Sequence, residues 1–237
     1  MASDRVLIII PTYNEKENLA AIIAAVEKVF ACDFLIVDDN SPDGTGLLAD
    51  ELAAADPRVK VMHRQGKQGL GTAYVAGFRR AIAEHYDYIF EMDADFSHDP
   101  SYLQPMLDRA RAGADMVIGS RYVPGGGTAN WGLVRKVISR GGGLYARTIL
   151  GVGIRDLTAG FICYRRRVLE AIDLGSLQSN GYSFQIEMKF RAVKSGFRVE
   201  EHPILFVDRR VGASKMSRKI FLEALTMVWK MRLGGGR

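Results

Sequence analysis

The sequence predicts an α/β fold, a mainly parallel, doubly wound sheet with helices on both faces. Three observations carry this expectation. Short apolar runs recur along the first half of the chain, stretches at helical spacing separate them, and two runs end in carboxylates, Val37-Asp38-Asp39-Asn40 and Met92-Asp93-Ala94-Asp95. Strands buried on both faces read as continuous apolar runs, and alternation of strand with helix marks crossover connections between parallel strands. In such a sheet the ligand crevice lies outside the carboxyl ends of the strands, so acids placed there face a ligand.

The elements follow in order. Val6–Ile10 is a run of five apolar residues stopped by Pro11, and Asn18–Phe30 is apolar at helical spacing. Phe34–Val37 is the second strand, Leu47–Ala55 an Ala/Leu-rich helix, and Val59–Met62 the third strand. Small and apolar residues repeat through Thr72–His85 as they do in a packed helix, and Tyr88–Phe90 forms the fourth strand. Tyr102–Ala112 follows Pro100 as a helix, and Met116–Ile118 is the fifth strand. Beyond residue 119 the alternation weakens. Pro124–Gly127 reads as a Gly-rich loop, Trp131–Leu150 as a helix interrupted by Gly141-Gly142-Gly143, and the remainder as mixed elements. No repeat and no separating linker is visible, so one Rossmann-like domain over 1–215 is expected. A C-terminal amphipathic helix over 216–233 and a frayed tail over 234–237 complete it.

Composition narrows the classes of function. With 48% apolar and 25% charged residues among 237, the chain is an ordinary globular one. Cys32 and Cys163 have no CxxC spacing, which predicts two buried thiols rather than a disulfide framework or a zinc site. The apolar run after Met1 is too short for a signal-peptide core, and a cytoplasmic location is expected. Charge is uneven. Residues 1–160 carry 17 Lys/Arg against 20 Asp/Glu, a net −3, whereas 161–237 carry 15 against 7, a net +8. A basic final third suits substrate phosphates or an anionic membrane; nucleic acid is disfavoured because no recognition motif accompanies it.

No glycine cradle for phosphates is present. The turn after the first strand reads Pro11-Thr-Tyr-Asn-Glu15, and G-x-x-x-x-G-K-[ST] occurs nowhere. Phosphates bound here would be met by a cation and by Arg or Lys, which the paired carboxylates and the basic final third can supply. The competing reading is local, with Asp and Asn capping helices or closing Asx-turns.

Read as a whole, the motifs resemble the family 2 glycosyltransferases, and within them the polyprenol-phosphate mannose synthase branch. The resemblance rests on Pro11-Thr-Tyr-Asn-Glu-Lys-Glu-Asn18, Val37-Asp-Asp-Asn-Ser-Pro-Asp-Gly-Thr45, Gly69-Leu-Gly-Thr-Ala-Tyr74, Asp93-Ala-Asp95 and Gly119-Ser-Arg-Tyr122. It continues through Asp156-Leu-Thr-Ala-Gly-Phe161, Gly181-Tyr-Ser-Phe-Gln-Ile-Glu187 and Val207-Asp-Arg-Arg-Val-Gly-Ala-Ser-Lys215. Together they imply a GT-A type fold, with a nucleotide-binding part over about 1–120 and an acceptor-side part over about 121–215.

The resemblance also implies roles. Pro11, Tyr13, Glu15, Val37 and Asp39 would hold the nucleoside; Thr12 and Glu15, spaced T-x-x-E, offer a capping box as the alternative for Glu15. Asp93, Ala94 and Asp95 would border Mg²⁺ or Mn²⁺ and the donor diphosphate, with Asp95 the more direct ligand. Ser97 stands where many relatives carry Gln, and is the candidate third ligand. His98 is read as a loop residue. Arg121 and Arg135 would face the sugar or the acceptor phosphate, and Arg209 and Lys215 would close over the diphosphate as a lid. The implied reaction is inverting transfer of mannose from GDP-mannose to dolichyl or polyprenyl phosphate. Transfer from another donor such as UDP-glucose stays open, as does a non-catalytic nucleotide-sugar-binding subunit. Met216–Leu233 has basic flanks, Trp229 and a broad apolar stripe, which suit a helix lying in a membrane interface or packed on the core. Peripheral attachment at the cytosolic face of a membrane, with or without small membrane-anchoring subunits, is the corresponding expectation.

Overall fold

A computed structural model of the chain describes residues 4–177, 179, 181–208 and 218–234. The five apolar runs form β1 (Val6–Thr12), β2 (Asp33–Asp38), β3 (Val59–His63), β4 (Tyr88–Glu91) and β5 (Met116–Ser120). Between them lie α1 (Lys16–Glu27), α2 (Thr45–Ala55), α3 (Leu70–Ala83) and α4 (Leu103–Arg111). β1 continues past the expected stop at Pro11 because the ladder is already opening there: its pairing to β4 ends at Ile9 opposite Glu91.

The remaining elements are β6 (Gly127–Ala129), α5 (Leu133–Leu150), β7 (Ile162–Arg165), α6 (Arg166–Ala171), α7 (Tyr182–Lys194), β8 (Val199–Pro203), β9 (Leu205–Val207) and α8 (Arg218–Leu233). The main sheet has the order β3-β2-β1-β4-β7-β5-β8. Every neighbouring pair is parallel except those made by β7, which runs antiparallel between β4 and β5. β6 and β9 form a separate two-stranded parallel ribbon. The Gly-rich loop therefore ends in a strand, and Gly126 is required at its approach, where a Cβ would stand 2.5 Å from the Ser120 carbonyl oxygen.

Alternation along each strand divides the core into two layers. Ile8, Ile10, Phe34 and Ile36 pack with α1 and α4 on one face, while Leu7, Ile9, Leu35 and Val37 pack with α3, α5 and α7 on the other. Each such fully buried side chain contributes roughly 1.5–3 kcal/mol. The small residues of α3 let it settle close to its neighbours: a Cβ at Gly77 would lie 2.9 Å from Ile9 of the sheet, and one at Gly71 2.9 Å from Phe184 of α7. Cys32 and Cys163 are free and buried.

One expectation needs correction. α5 is continuous through Gly141-Gly142-Gly143, a run that costs roughly 1 kcal/mol per glycine relative to alanine, set against the burial of Ala146 and Leu150. α8 turns Met227 and Val228 into the protein, with Val228 in the core layer, so part of its apolar stripe packs inward. No described helix is long and apolar enough to cross a membrane.

Candidate active site

The strand order reverses between β1 and β4, and a cleft of about 390 Å³ opens at their carboxyl ends. Pro11, Tyr13, Glu15, Asp39, Asp93, Ala94, Asp95, Ser97, Arg121 and Arg135 all line it. Val37 does not. Its side chain is fully buried beside Leu35 in the α3-facing core layer, and the cleft opens only past the last β2 residue, at Asp39. Arg209 and Lys215 lie outside the described residues.

At the end of β2 the two carboxylates divide. Asp38 accepts hydrogen bonds from Thr12 Oγ1 at 2.9 Å, Ser41 N at 3.0 Å and Ser41 Oγ at 2.6 Å, closing an Asx-turn. Thr12 is thereby committed to Asp38 and makes no capping box with Glu15, which instead accepts from Asn18 Nδ2 at 3.0 Å. Asn40 takes the left-handed conformation that Asn tolerates, with φ 56°. Asp39 is turned into the cleft, 2.8 Å from Arg64 Nη1, each side chain 9% exposed. Burial raises the Asp39 pKa and the Arg64 charge opposes the rise. Lys67 caps the Tyr13 ring at 4.1 Å.

At the end of β4 the arrangement differs. Asp95 Oδ1 accepts from Ser97 N at 3.1 Å and Ser97 Oγ at 2.6 Å, while Phe96 between them sits at φ 60°. A bulky residue there costs of order 1–3 kcal/mol, and the Asp95–Ser97 turn holds it. His98 is a buried part of this construction rather than a simple loop residue. Its Nδ1 accepts the Asp93 N–H at 3.1 Å, and its ring stacks on Phe161 with centroids 4.8 Å apart. Burial lowers its pKa to about 4, so at neutral pH the ring is uncharged with its proton on Nε2. The buried Tyr74 hydroxyl lies beside this end, its pKa driven well up by burial and then by the charge of Asp93.

Beyond β5, Arg121 is clamped by Asp156. Its Nε and Nη2 donate to the two carboxylate oxygens at 2.7 Å each, its backbone N–H donates at 3.0 Å, and Thr158 Oγ1 accepts from Nη2 at 2.8 Å. Burial pushes the Asp156 pKa up, but Arg121's charge and hydrogen bonds outweigh it and hold the carboxyl below its ordinary range. The rings of Trp131 and Phe206 stand 5.4 Å from the guanidinium. Arg135 pairs with Asp208 and lies over Trp131 at 4.1 Å.

Under the floor runs a buried polar chain that the sequence reading did not identify. Glu91 accepts from Tyr164 at 2.7 Å and from Gln185, and Lys189 Nζ donates to the Ala159 carbonyl at 2.6 Å. Burial raises the Glu91 pKa to about 7 and lowers that of Lys189 to about 8. Because Gln185 and Ala159 both line the cleft, the chain fixes its wall from behind. Polar residues spaced along one helix, Gln185, Glu187 and Lys189, were the available signal, since all three are buried.

Among the described residues no three His, Cys, Asp or Glu side chains could jointly hold a metal. Asp93 and Asp95 with the Ser97 hydroxyl form an all-oxygen set at the cleft floor. That set fits a hard divalent cation that takes its other ligands from phosphate and water. It does not fit a soft metal that needs thiolate or imidazole.

Comparison with known proteins agrees with this architecture. The family model described as Glycosyl transferase family 2 matches residues 7–173. The chain is 53% identical over 236 residues to the polyprenol monophosphomannose synthase of Mycolicibacterium smegmatis, covering 97% of this chain and 88% of that protein. It is 51% identical over 230 residues to the undecaprenyl-phosphate mannosyltransferase of Micrococcus luteus, covering 97% and 94%. The solved structure of Mycobacterium tuberculosis glucosyl-3-phosphoglycerate synthase with Mn²⁺, UDP-glucose and phosphoglyceric acid shares the fold. Its TM-score is 0.71 at 16% identity, over 98% of this chain and 80% of that one. The fold, the acid-bearing strand ends at the switch point and the match over most of the chain lead to one conclusion: this protein belongs to glycosyl transferase family 2.

Proposed function

We propose that this chain is an inverting mannosyltransferase that moves mannose from GDP-mannose to the phosphate of a dolichyl or polyprenyl phosphate, giving polyprenyl phosphate β-D-mannose. The observation that carries the reading is a single cleft in which Asp39, Asp93 and Asp95 face Arg121 and Arg135. Relatives named for polyprenol- and undecaprenyl-phosphate mannosyl transfer, at 53% and 51% identity, support the substrate class.

Asp93 and Asp95 would hold Mg²⁺ or Mn²⁺, which when bound supplies positive charge to the donor diphosphate. The chain's own groups do the rest. Ser97 and His98 keep the two carboxylates aimed, while Pro11, Tyr13, Glu15 and Asp39 take the nucleoside. Arg121, held rigid by Asp156, is placed to meet anionic oxygens, and Arg135 serves the acceptor side. A phosphate monoester has its second pKa near ~6 and is mostly ionised at neutral pH, so its oxygen attacks the anomeric carbon without a general base. His98 is consistent with that, since its Nδ1 is taken by the Asp93 N–H. A single displacement inverts the anomeric centre as the nucleoside diphosphate leaves. Arg209 and Lys215 are assigned to that diphosphate, in a catalytic domain over 1–215. The lipid acceptor places the protein peripherally at the cytosolic face of a membrane, with small membrane-anchoring subunits as candidate partners.

The test is to mix the purified chain with labelled GDP-mannose, Mg²⁺ or Mn²⁺ and a polyprenyl phosphate, and to follow label into the organic phase. Metal-dependent transfer with a β product is expected. Transfer from UDP-glucose alone would replace the donor, an α product would overturn the single displacement, and metal-dependent donor binding with no turnover would point to a binding subunit.

A further inference from the structure

We propose that the outer face of α5 docks on an anionic bilayer, with Tyr122, Arg140, Arg147 and Arg155 seating the phosphate of a phospholipid headgroup. Two sides of one helix carry the inference. Ile138, Gly142, Tyr145 and Ala146 look inward and line the cleft. Leu133, Val137, Arg140, Leu144 and Arg147 recur at spacings of three, four and seven and occupy the opposite side. On that side Leu133 is 80% exposed, Val137 70% and Leu144 60%, with Val134 beside them at 74%.

Charge selects the occupant. Residues 116–155 contain six Lys/Arg and no Asp/Glu. Arg140, Arg147 and Arg155 converge with Tyr122 and Leu144 on a shallow pocket, and no described carboxylate pairs with any of these arginines. Arg140 lies 5.8 Å from the centre of the Tyr122 ring, whose hydroxyl donates to Ser139 at 2.6 Å. Guanidinium groups that lack protein acids, ringed by bare aliphatic side chains, suit a surface that offers phosphate oxygens and acyl chains together. A second copy of the same surface would repel it. Because the inner side of α5 is a wall of the cleft, a bilayer on the outer side sets the headgroup layer beside the cleft mouth. That link rests on the proposed lipid-phosphate acceptor; the docking itself does not. It also shifts the principal membrane contact from α8, which buries Met227 and Val228, to α5.

Flotation of the full chain with phosphatidylcholine vesicles, with and without phosphatidylglycerol, tests this in the absence of donor. Binding that requires the anionic lipid and weakens with salt is expected. A lipid-facing arginine contributes about fivefold, so Arg140→Gln with Arg147→Gln should raise the lipid needed for half-binding about 25-fold. Thermal melting and transfer to a detergent-dispersed acceptor should stay at parental values. Leu133→Ser with Val137→Ser should weaken binding independently. The proposal is overturned if these variants bind vesicles like the parent, or if only Trp229→Ser on α8 abolishes binding. It is equally overturned if inorganic phosphate occupies the arginine pocket while vesicles fail to bind, or if the α5 variants abolish self-association instead. Intact vesicle binding without any transfer would count against the proposed reaction alone.

Discussion

The ends of β2 and β4 look alike in sequence, each an apolar run closing on two acids, yet the protein uses them differently. At β2 one carboxylate is consumed by the turn, and Asp39, the one that reaches the cleft, is balanced by Arg64 at 2.8 Å. At β4 the Asp95 carboxylate both closes its turn and lines the cleft, while the neighbouring imidazole of His98 is kept uncharged by burial. A strand end neutralised by arginine suits uncharged hydroxyl and base groups. One that concentrates negative charge beside a neutral histidine suits a cation and the phosphates it brings.

Asp95→Asn gives the sharpest break of this contrast: transfer should fall about 10³-fold, and near-parental activity at saturating Mn²⁺ would remove Asp95 from the charge-bearing end. Asp156→Asn tests whether Arg121 is fixed by its ion pair. Removing the carboxylate charge from that buried guanidinium should cost about 3–5 kcal/mol in denaturant unfolding. Since the Asp156 pKa is depressed, the parental contribution is full at neutral pH and is lost only as pH falls from the unfolded value near ~3.9 through the lower folded one. The variant should lose that acid-sensitive component. Ser97→Ala should raise the metal concentration needed for half-maximal rate about 10–100-fold with the maximal rate nearly kept, as for a group that orients a ligand. Smallest is Asp39→Asn, expected to raise the donor KM about tenfold at unchanged kcat. A comparable loss of kcat there would erase the distinction between the two ends.

What could be read from residue order follows from how each part is buried. β1, β2, β4 and β5 are largely apolar on both faces and β3 alternates Val59 and Val61 with Lys60, so periodicity found them, and the carboxyl ends followed from topology. β7, no longer than β4, escaped because it lies past residue 119, where strand no longer alternates with helix, and it joins the sheet from the opposite direction. α7 escaped because polar and apolar residues alternate along it and both are buried: Phe184, Ile186 and Met188 sit in the core, while Gln185 and Lys189 reach partners distant in sequence and Glu187 pairs with Arg191 one turn on. His98 was undervalued for the same reason, since its worth depends on Phe161 and the Asp93 amide. Val37 lies next to the cleft in sequence but its side chain is buried. It sits inside the strand and in the core, whereas Asp39, beyond the strand's end, turns to the cleft.

The antiparallel insertion of β7 has a consequence for how the protein comes into being. A growing chain that has emerged through residue 120 holds β1 to β4 as neighbours but cannot attach β5, because the strand that belongs between them has not been made. Ile162 must arrive before Glu91 on one side and Ile118 on the other find their partner. The acid-bearing half can therefore form early during synthesis, while the half that contributes Arg121 docks only once the chain has passed residue 165. A translation product cut short before that point would display half a cleft and an open strand edge, the form most exposed to aggregation.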